Sequence, residues 1–234
     1  IYHTGSVLTL TGVIINSNTS AGEGGGIFTE DLLTIYSSVI SNNSAVSNGG
    51  GIAGSHQRLY VFNSTISGNT AATGPGGGFS GVGGRLMMNN VQITSNTTGN
   101  NGGGLYLQTV NTVLNNVTVA DNTANNGGGL YAFADYAANI DNSIFFNNSP
   151  QELRFSDDAM PNTINVSYSI IEGGEDAIVE YTGDSLYWGS GNMVGDPLFT
   201  DATIGDYTLQ ASSPAINAGN PNGFYYDSDG SRND

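Results

Sequence analysis

Three groups of residues in this sequence have the types and spacing to do chemistry. The first is Asp227-Ser228-Asp229-Gly230, followed by Asp234. Calcium takes several oxygen ligands, and a glycine lets the chain turn sharply between them. Asp227, Asp229 and Asp234 are therefore candidate metal ligands. The spacing is shorter than that of an EF-hand loop, and a solvated acidic turn would read the same way. The second group is Arg58 and Arg85, each placed just before a leucine, with His56 and the Glu30-Asp31 pair nearby. A surface ion-pair row is the plainer reading, and it contributes little energy. A tuned proton-transfer site would need more flanking carboxylates. The third group is aromatic. Tyr106 and Tyr131 follow equivalent glycine triplets, and Phe28 holds the same position earlier in the chain. Tyr36 and Phe62 share another position, beside Tyr60 and Met87. Flat aromatic faces bind sugars or pack against protein, although aromatics are also good strand formers. No compact carboxylate set suits glycoside hydrolysis, since Asp121, Asp135 and Asp141 are separated by corners.

The elements that must position these residues are repeats. Gly-Gly-Gly plus an apolar residue recurs at Gly24–Ile27, Gly49–Ile52, Gly76–Phe79, Gly102–Leu105 and Gly127–Leu130, at intervals of 25, 27, 26 and 25 residues. A fixed period of this length signals a stacked architecture. Two apolar columns share the period. One is Leu10, Ile35, Val61, Met88, Leu114, Ile140 and Val166; the other is Ile15, Ile40, Ile66, Ile93, Val119, Phe145 and Ile171. An asparagine column follows, at Asn18, Asn43, Asn69, Asn96, Asn122 and Asn148. If each repeat is one turn of a coil, equivalent residues stack about 4.8 Å apart. Alternation such as Leu59-Tyr60-Val61 then puts apolar residues inside and polar ones outside. Asparagine tolerates left-handed backbone, and its amide can bond to the amides above and below it. The predicted fold is all-β: a parallel β-helix of about seven coils, roughly 30 Å long at that spacing. Residues 1–180 are the repeats. Residues 181–234 form a non-repetitive tail that makes sense as a cap, because an open solenoid end exposes unpaired strand edges.

Composition narrows the partners. The chain has 234 residues, no cysteine, no lysine and a formal net charge of -16; its only cationic side chains are Arg58, Arg85, Arg154 and Arg232. Such a surface repels phosphate backbones and anionic headgroups, so neither nucleic acid nor an anionic membrane is a suitable partner. It attracts divalent cations. No signal peptide or membrane span is legible, and the chain reads as an excised piece of something longer. Asn-x-Ser/Thr sequons occur at Asn18, Asn42, Asn63, Asn96, Asn116, Asn147 and Asn165, mostly as a by-product of corner composition.

The Gly-Gly-Gly-[Ile/Leu/Phe] element resembles the GGA[ILVY]-type motif of polymorphic outer-membrane protein and adhesin repeats. The Ile/Val-x-x-Asn element, as in Ile40 to Asn43 and Val119 to Asn122, resembles their FxxN partner. The chain looks like a right-handed parallel β-helix of the pectate-lyase-like superfamily, a handedness that comes from the resemblance alone. The tail is similar to the end of bacterial extracellular "choice-of-anchor" β-helix proteins. Its segments are Gly195-Asp196-Pro197-Leu198-Phe199, Gly205-Asp206-Tyr207-Thr208-Leu209, Ser213-Pro214-Ala215-Ile216-Asn217-Ala218-Gly219 and Asp227–Asp234. Asn217 stands where many members carry Asp. The resemblance implies a secreted or cell-surface location.

Two functions follow as expectations. One is an extracellular structural or adhesive module that presents a surface to glycans or cell-surface proteins, or that associates with itself end to end or laterally. The lack of a compact catalytic cluster favours it. The other is implied by the superfamily's polysaccharide lyases. In those, calcium neutralises a uronate carboxylate and an Arg or Lys abstracts the neighbouring proton, which here would fall to Arg58, Arg85 or His56.

Overall fold

The computed structural model describes residues 1–55, 58–134, 137–158, 160–223 and 231–232. Strand after strand pairs in parallel with its counterparts one coil before and one coil after, giving a β-solenoid of about seven coils. One sheet runs from Tyr2–His3 through Ile27–Thr29, Ile52–Ser55, Phe79–Val82, Leu105–Gln108 and Leu130–Phe133 to Leu153–Phe155. A second is built on Leu8–Thr11, Leu33–Tyr36, Arg58–Ser67, Arg85–Thr94, Asn111–Ala120, Ala137–Asp141, Thr163–Ser167 and Ser185–Trp188. A short third sheet stacks Thr19–Ser20, Ser44–Ala45, Thr70–Ala71 and Thr97–Thr98.

The apolar columns fall where the period requires. Ile35, Val61, Met88, Leu114, Ile140 and Val166 are buried and in register, as are Ile40, Ile66, Ile93, Val119, Phe145 and Ile171. Each buried aliphatic side chain contributes about 1.5–3 kcal/mol of transfer free energy. In the central coils the long strand bends at an asparagine in left-handed conformation: Asn63 (φ 49°), Asn90 (φ 53°) and Asn116 (φ 53°). The bend leaves that residue out of the pairing between Phe62↔Asn89 and Ser64↔Val91. Each long strand therefore presents two outward faces, one before the bend and one after it.

The asparagine column is a continuous ladder. Asn18, Asn43, Asn69, Asn96 and Asn122 each donate Nδ2–H to the Oδ1 of the next, ending on Asn148, at 2.8–3.0 Å. The glycine triplets lie against it. A Cβ on Gly51 would stand 3.0 Å from Asn69 Cγ. One on Gly50 would stand 2.4 Å from the Thr70 carbonyl carbon and 2.5 Å from the Gly77 oxygen. Both obstacles at Gly50 are backbone held by the neighbouring coils, so neither can step aside. Gly50→Ala is therefore expected to lose about 2–3 kcal/mol, measured as a lower midpoint in urea. Gly22→Ala, whose Cβ would meet nothing within 4 Å, should leave the midpoint nearly unchanged.

Parallel pairing continues past residue 180. Ser185–Trp188 pairs with Thr163–Ser167, and bridges join Arg154 to Val179 and Ile170 to Met193. Tyr181, Leu186 and Trp188 pack against the main core. Beyond them, Phe199–Asp201 and Asp206–Leu209 form an antiparallel hairpin around the 3-10 turn Ala202–Ile204. This part of the tail lies along the flank of the later coils. Tyr207 donates its hydroxyl to Asp121 Oδ2 (2.6 Å), and the Asn220 N–H donates to Asn142 Oδ1 (2.7 Å). Phe199 meets Phe146 edge to face at 6.2 Å, and Ala215 joins Ile144 and Ile170 in a second small core. The cap thus divides into a segment that continues the core and a hairpin clamped to the side.

Candidate functional site

The second sheet brings two of the sequence-derived groups together. Arg58 and Arg85 are paired in register, and both are exposed. Tyr60 and Phe62 follow Arg58 at two-residue steps on the same strand, between the inward residues Leu59, Val61 and Ser64. Successive outward residues of a strand share one face, so Arg58, Tyr60 and Phe62 form a single row. Tyr36 lies beside Phe62 in register, and their rings stack at 5.1 Å with planes 13° apart. Tyr36 remains 39% exposed. The result is a platform of aromatic rings bordered by two guanidinium groups. Like charges directly opposite in a sheet are destabilising, so the arginine pair is a cost to the fold. The alternation of the sequence signals each row; the union of the arginines with the aromatics needed the observed register.

The other aromatic positions behave differently. Phe28 pairs in register with Tyr2 and stacks on it at 5.1 Å. Ala53 and Ser80 occupy the same column in the next two coils and separate Phe28 from Tyr106. Tyr106 stacks on Tyr131 at 5.9 Å and on Phe133 at 6.2 Å. Tyr131 is only 6% exposed, so it offers no open face to a ligand. In the next coil Arg154 takes the paired position, donates Nη2–H to the Tyr181 hydroxyl at 2.5 Å and lies 5.6 Å from that ring's centroid. Burial pushes the Tyr106 hydroxyl up to about 12, with Tyr131 and Asp158 adding to the effect. Tyr106 and Tyr131 thus belong to a packed aromatic–arginine cluster, with Tyr106 at its half-buried edge.

The candidate metal ligands Asp227, Asp229 and Asp234 lie outside the described residues, as does His56. Among the described residues no group of three or more His, Cys, Asp or Glu side chains is arranged to hold a metal ion. One carboxylate not singled out from the sequence is unusual. Glu152 is 4% exposed and ends the asparagine ladder, accepting from the Asn148 N–H (2.9 Å) and from Asn148 Nδ2 (2.5 Å). Burial pushes its carboxyl up to about 8, opposed by the Asn148 bonds and reinforced by the neighbouring Glu172. Both of its oxygens are engaged inside the coil, so it works in the fold and not on a substrate. Of the sequons, Asn96 is wholly buried in the ladder and offers no amide for glycosylation.

The family model of the Chlamydia polymorphic membrane protein repeat matches residues 12–30. That stretch holds the strand Ile14–Asn16, the ladder residue Asn18, the first glycine triplet and the strand Ile27–Thr29. The chain is similar to that repeat over this one coil, a likeness that points to a surface-exposed repeat protein of the outer-membrane type. No curated protein and no solved structure matches.

Proposed function

We propose that this chain is a cell-surface or secreted β-solenoid module that binds glycans through the face formed by Tyr36, Tyr60, Phe62, Arg58 and Arg85. The observation that carries this reading is the joining of stacked aromatic rings and paired arginines on one outward sheet face. Aromatic faces suit the apolar faces of sugar rings. Two of the chain's four cations stand side by side there. The face can therefore receive a sugar carboxylate that a net charge of -16 would otherwise repel. The solenoid supplies rigidity, since the strands Leu33–Tyr36, Arg58–Ser67 and Arg85–Thr94 are each tied to the coils on both sides and the platform needs little ordering on binding.

The test is a glycan-array screen with and without calcium, followed by titration calorimetry on the glycans retained. Tyr36→Ala with Phe62→Ala is expected to weaken binding about tenfold or more, the affinity equivalent of about 1.5 kcal/mol. Unchanged affinity in that variant, or no glycan retained, would overturn the reading. A cell-surface protein or a second copy of the chain would then be the partner to pursue. The same arginine pair favours one further reading, a calcium-assisted polysaccharide lyase, with Asp227, Asp229 and Asp234 as the candidate calcium ligands. Its signature is ultraviolet-absorbing unsaturated product that disappears with chelator and in Arg58→Ala or Arg85→Ala.

A further inference from the structure

The geometry points to a second binding site, for a short neutral oligosaccharide, in the cleft between the solenoid flank and the docked tail. It goes beyond the reading above, because it lies on the other side of the strand bend and uses none of the same residues. The cleft has a volume of about 350 Å³. That is within the range of small-ligand sites, roughly 300–1,000 Å³. Its floor is the outward face after the bend, where Gln92 and Thr118 are stacked in register. Asn90, Asn116 and Asn142, the bend residues themselves, border it, and Tyr207 on the hairpin forms part of the opposite wall.

Three observations select the ligand. First, none of the described side chains lining the cleft carries a charge, although the chain as a whole carries -16. An anion would find no counter-charge there, and a cation no carboxylate. Second, the lining alternates amides and hydroxyls with apolar surface from Ile144, Leu209 and Ile216. A sugar ring has that same dual character, with hydroxyls at its rim and C–H groups on its faces. Third, Asn116 lines the cleft, and its side-chain oxygen is closed off from solvent with no hydrogen-bond donor among the described residues. An acceptor left in that state is unfavourable, and a ligand donor relieves it. A ligand hydroxyl is a donor of the kind this acceptor lacks.

A peptide is the weaker candidate on structural grounds. Peptides commonly bind by adding a strand to an open sheet edge. The floor here is the face of a sheet whose backbone groups are already paired with the coils on either side. The wall is well anchored. The Tyr207 hydroxyl is bound to Asp121, and burial together with that bond pushes it up to about 12, so it stays a donor across the physiological range.

The experiment is titration calorimetry with neutral gluco-, manno-, xylo- and galacto-oligosaccharides of about two to four residues, the size such a cleft admits. The wild-type chain is compared with Gln92→Ala/Thr118→Ala and with Arg58→Ala. Gln92 and Thr118 are outward and partly exposed, so their loss should leave the fold intact, which the urea midpoint checks. At least one series is expected to bind, to weaken about tenfold or more in the double variant, and to be unaffected by Arg58→Ala. The proposal is overturned if none of the four series binds, or if a bound one is indifferent to the double variant. Binding lost in Arg58→Ala and retained in Gln92→Ala/Thr118→Ala would also overturn it, while supporting the aromatic–arginine face.

Discussion

Asn69→Ala is expected to destabilise the solenoid by roughly 3–5 kcal/mol, as much as the loss of a large aliphatic core residue. Asn69 is wholly buried. Its Oδ1 accepts from both the Asn43 N–H and Asn43 Nδ2, and its Nδ2 donates to Ile40 O and Asn96 Oδ1. Truncation leaves the Asn43 N–H without an acceptor, and a donor position on Asn43 and the Ile40 carbonyl short of a bond. Each orphaned buried group costs about 1–3 kcal/mol. Asn18→Ala is the matched control. Asn18 is the exposed first member, donating to Asn43 and to Asn16 O but accepting from no other rung. It should cost under about 1 kcal/mol. Hydrogen exchange locates the damage: protection is expected to fall first in the coils on either side of Asn69, because a solenoid is held by nearest-neighbour interfaces. Equal losses for Asn18→Ala and Asn69→Ala would show that the ladder is decorative.

The ladder could be foreseen because its cause is periodic. Asn18 through Asn148 recur with the coil, and a residue type that both tolerates a tight corner and bonds to copies of itself leaves that trace. The inward columns were legible for the same reason, since alternation around Leu59-Tyr60-Val61 assigns inside and outside directly. Outward neighbours were harder. Tyr36 beside Phe62 follows from the period alone, but Phe28 shares the column of Tyr106 and Tyr131 while Ala53 and Ser80 stand between them. Position in the repeat gives the column; contact along it needs every intermediate coil. Least legible was the tail. Tyr207 meets Asp121 across a long stretch of chain with no shared repeat, and the bond is set by the shape of the flank and not by spacing. Unpaired strand edges argue for a cap over the open end, whereas the hairpin packs Phe199 and Leu209, with Ala215 after it, beside Ile144, Phe146 and Ile170 on the flank. The cleft beneath it was invisible for that reason.

The end of the ladder gives the second large prediction: stability should fall as pH rises through the neutral range, and Glu152→Gln should abolish most of that fall. Where earlier coils supply another asparagine, this one supplies a carboxyl, buried at 4% exposure and held by Asn148. Burial first, and then Glu172 beside it, raises its pKa from 4.5 to about 8. The sign follows from proton counting. Between those two values the folded chain keeps a proton that the unfolded chain has released, so folding takes up a proton and raising the pH opposes it. The stabilising contribution is complete below about pH 4.5 and is lost progressively up to about pH 8, at on the order of 1.4 kcal/mol per pH unit. Glu172 lines the same hollow as Glu152, and its charge adds to the rise. In Glu152→Gln one amide oxygen can accept from both Asn148 donors, as Asn69 Oδ1 does from Asn43, leaving the amide N–H groups free for Glu172. The variant should match the parent near pH 4.5 and exceed it by several kcal/mol near pH 8, read from urea midpoints across that interval. Parallel pH profiles for the two proteins would mean that Glu152 ionises like an exposed carboxylate and that the ladder ends at Asn148.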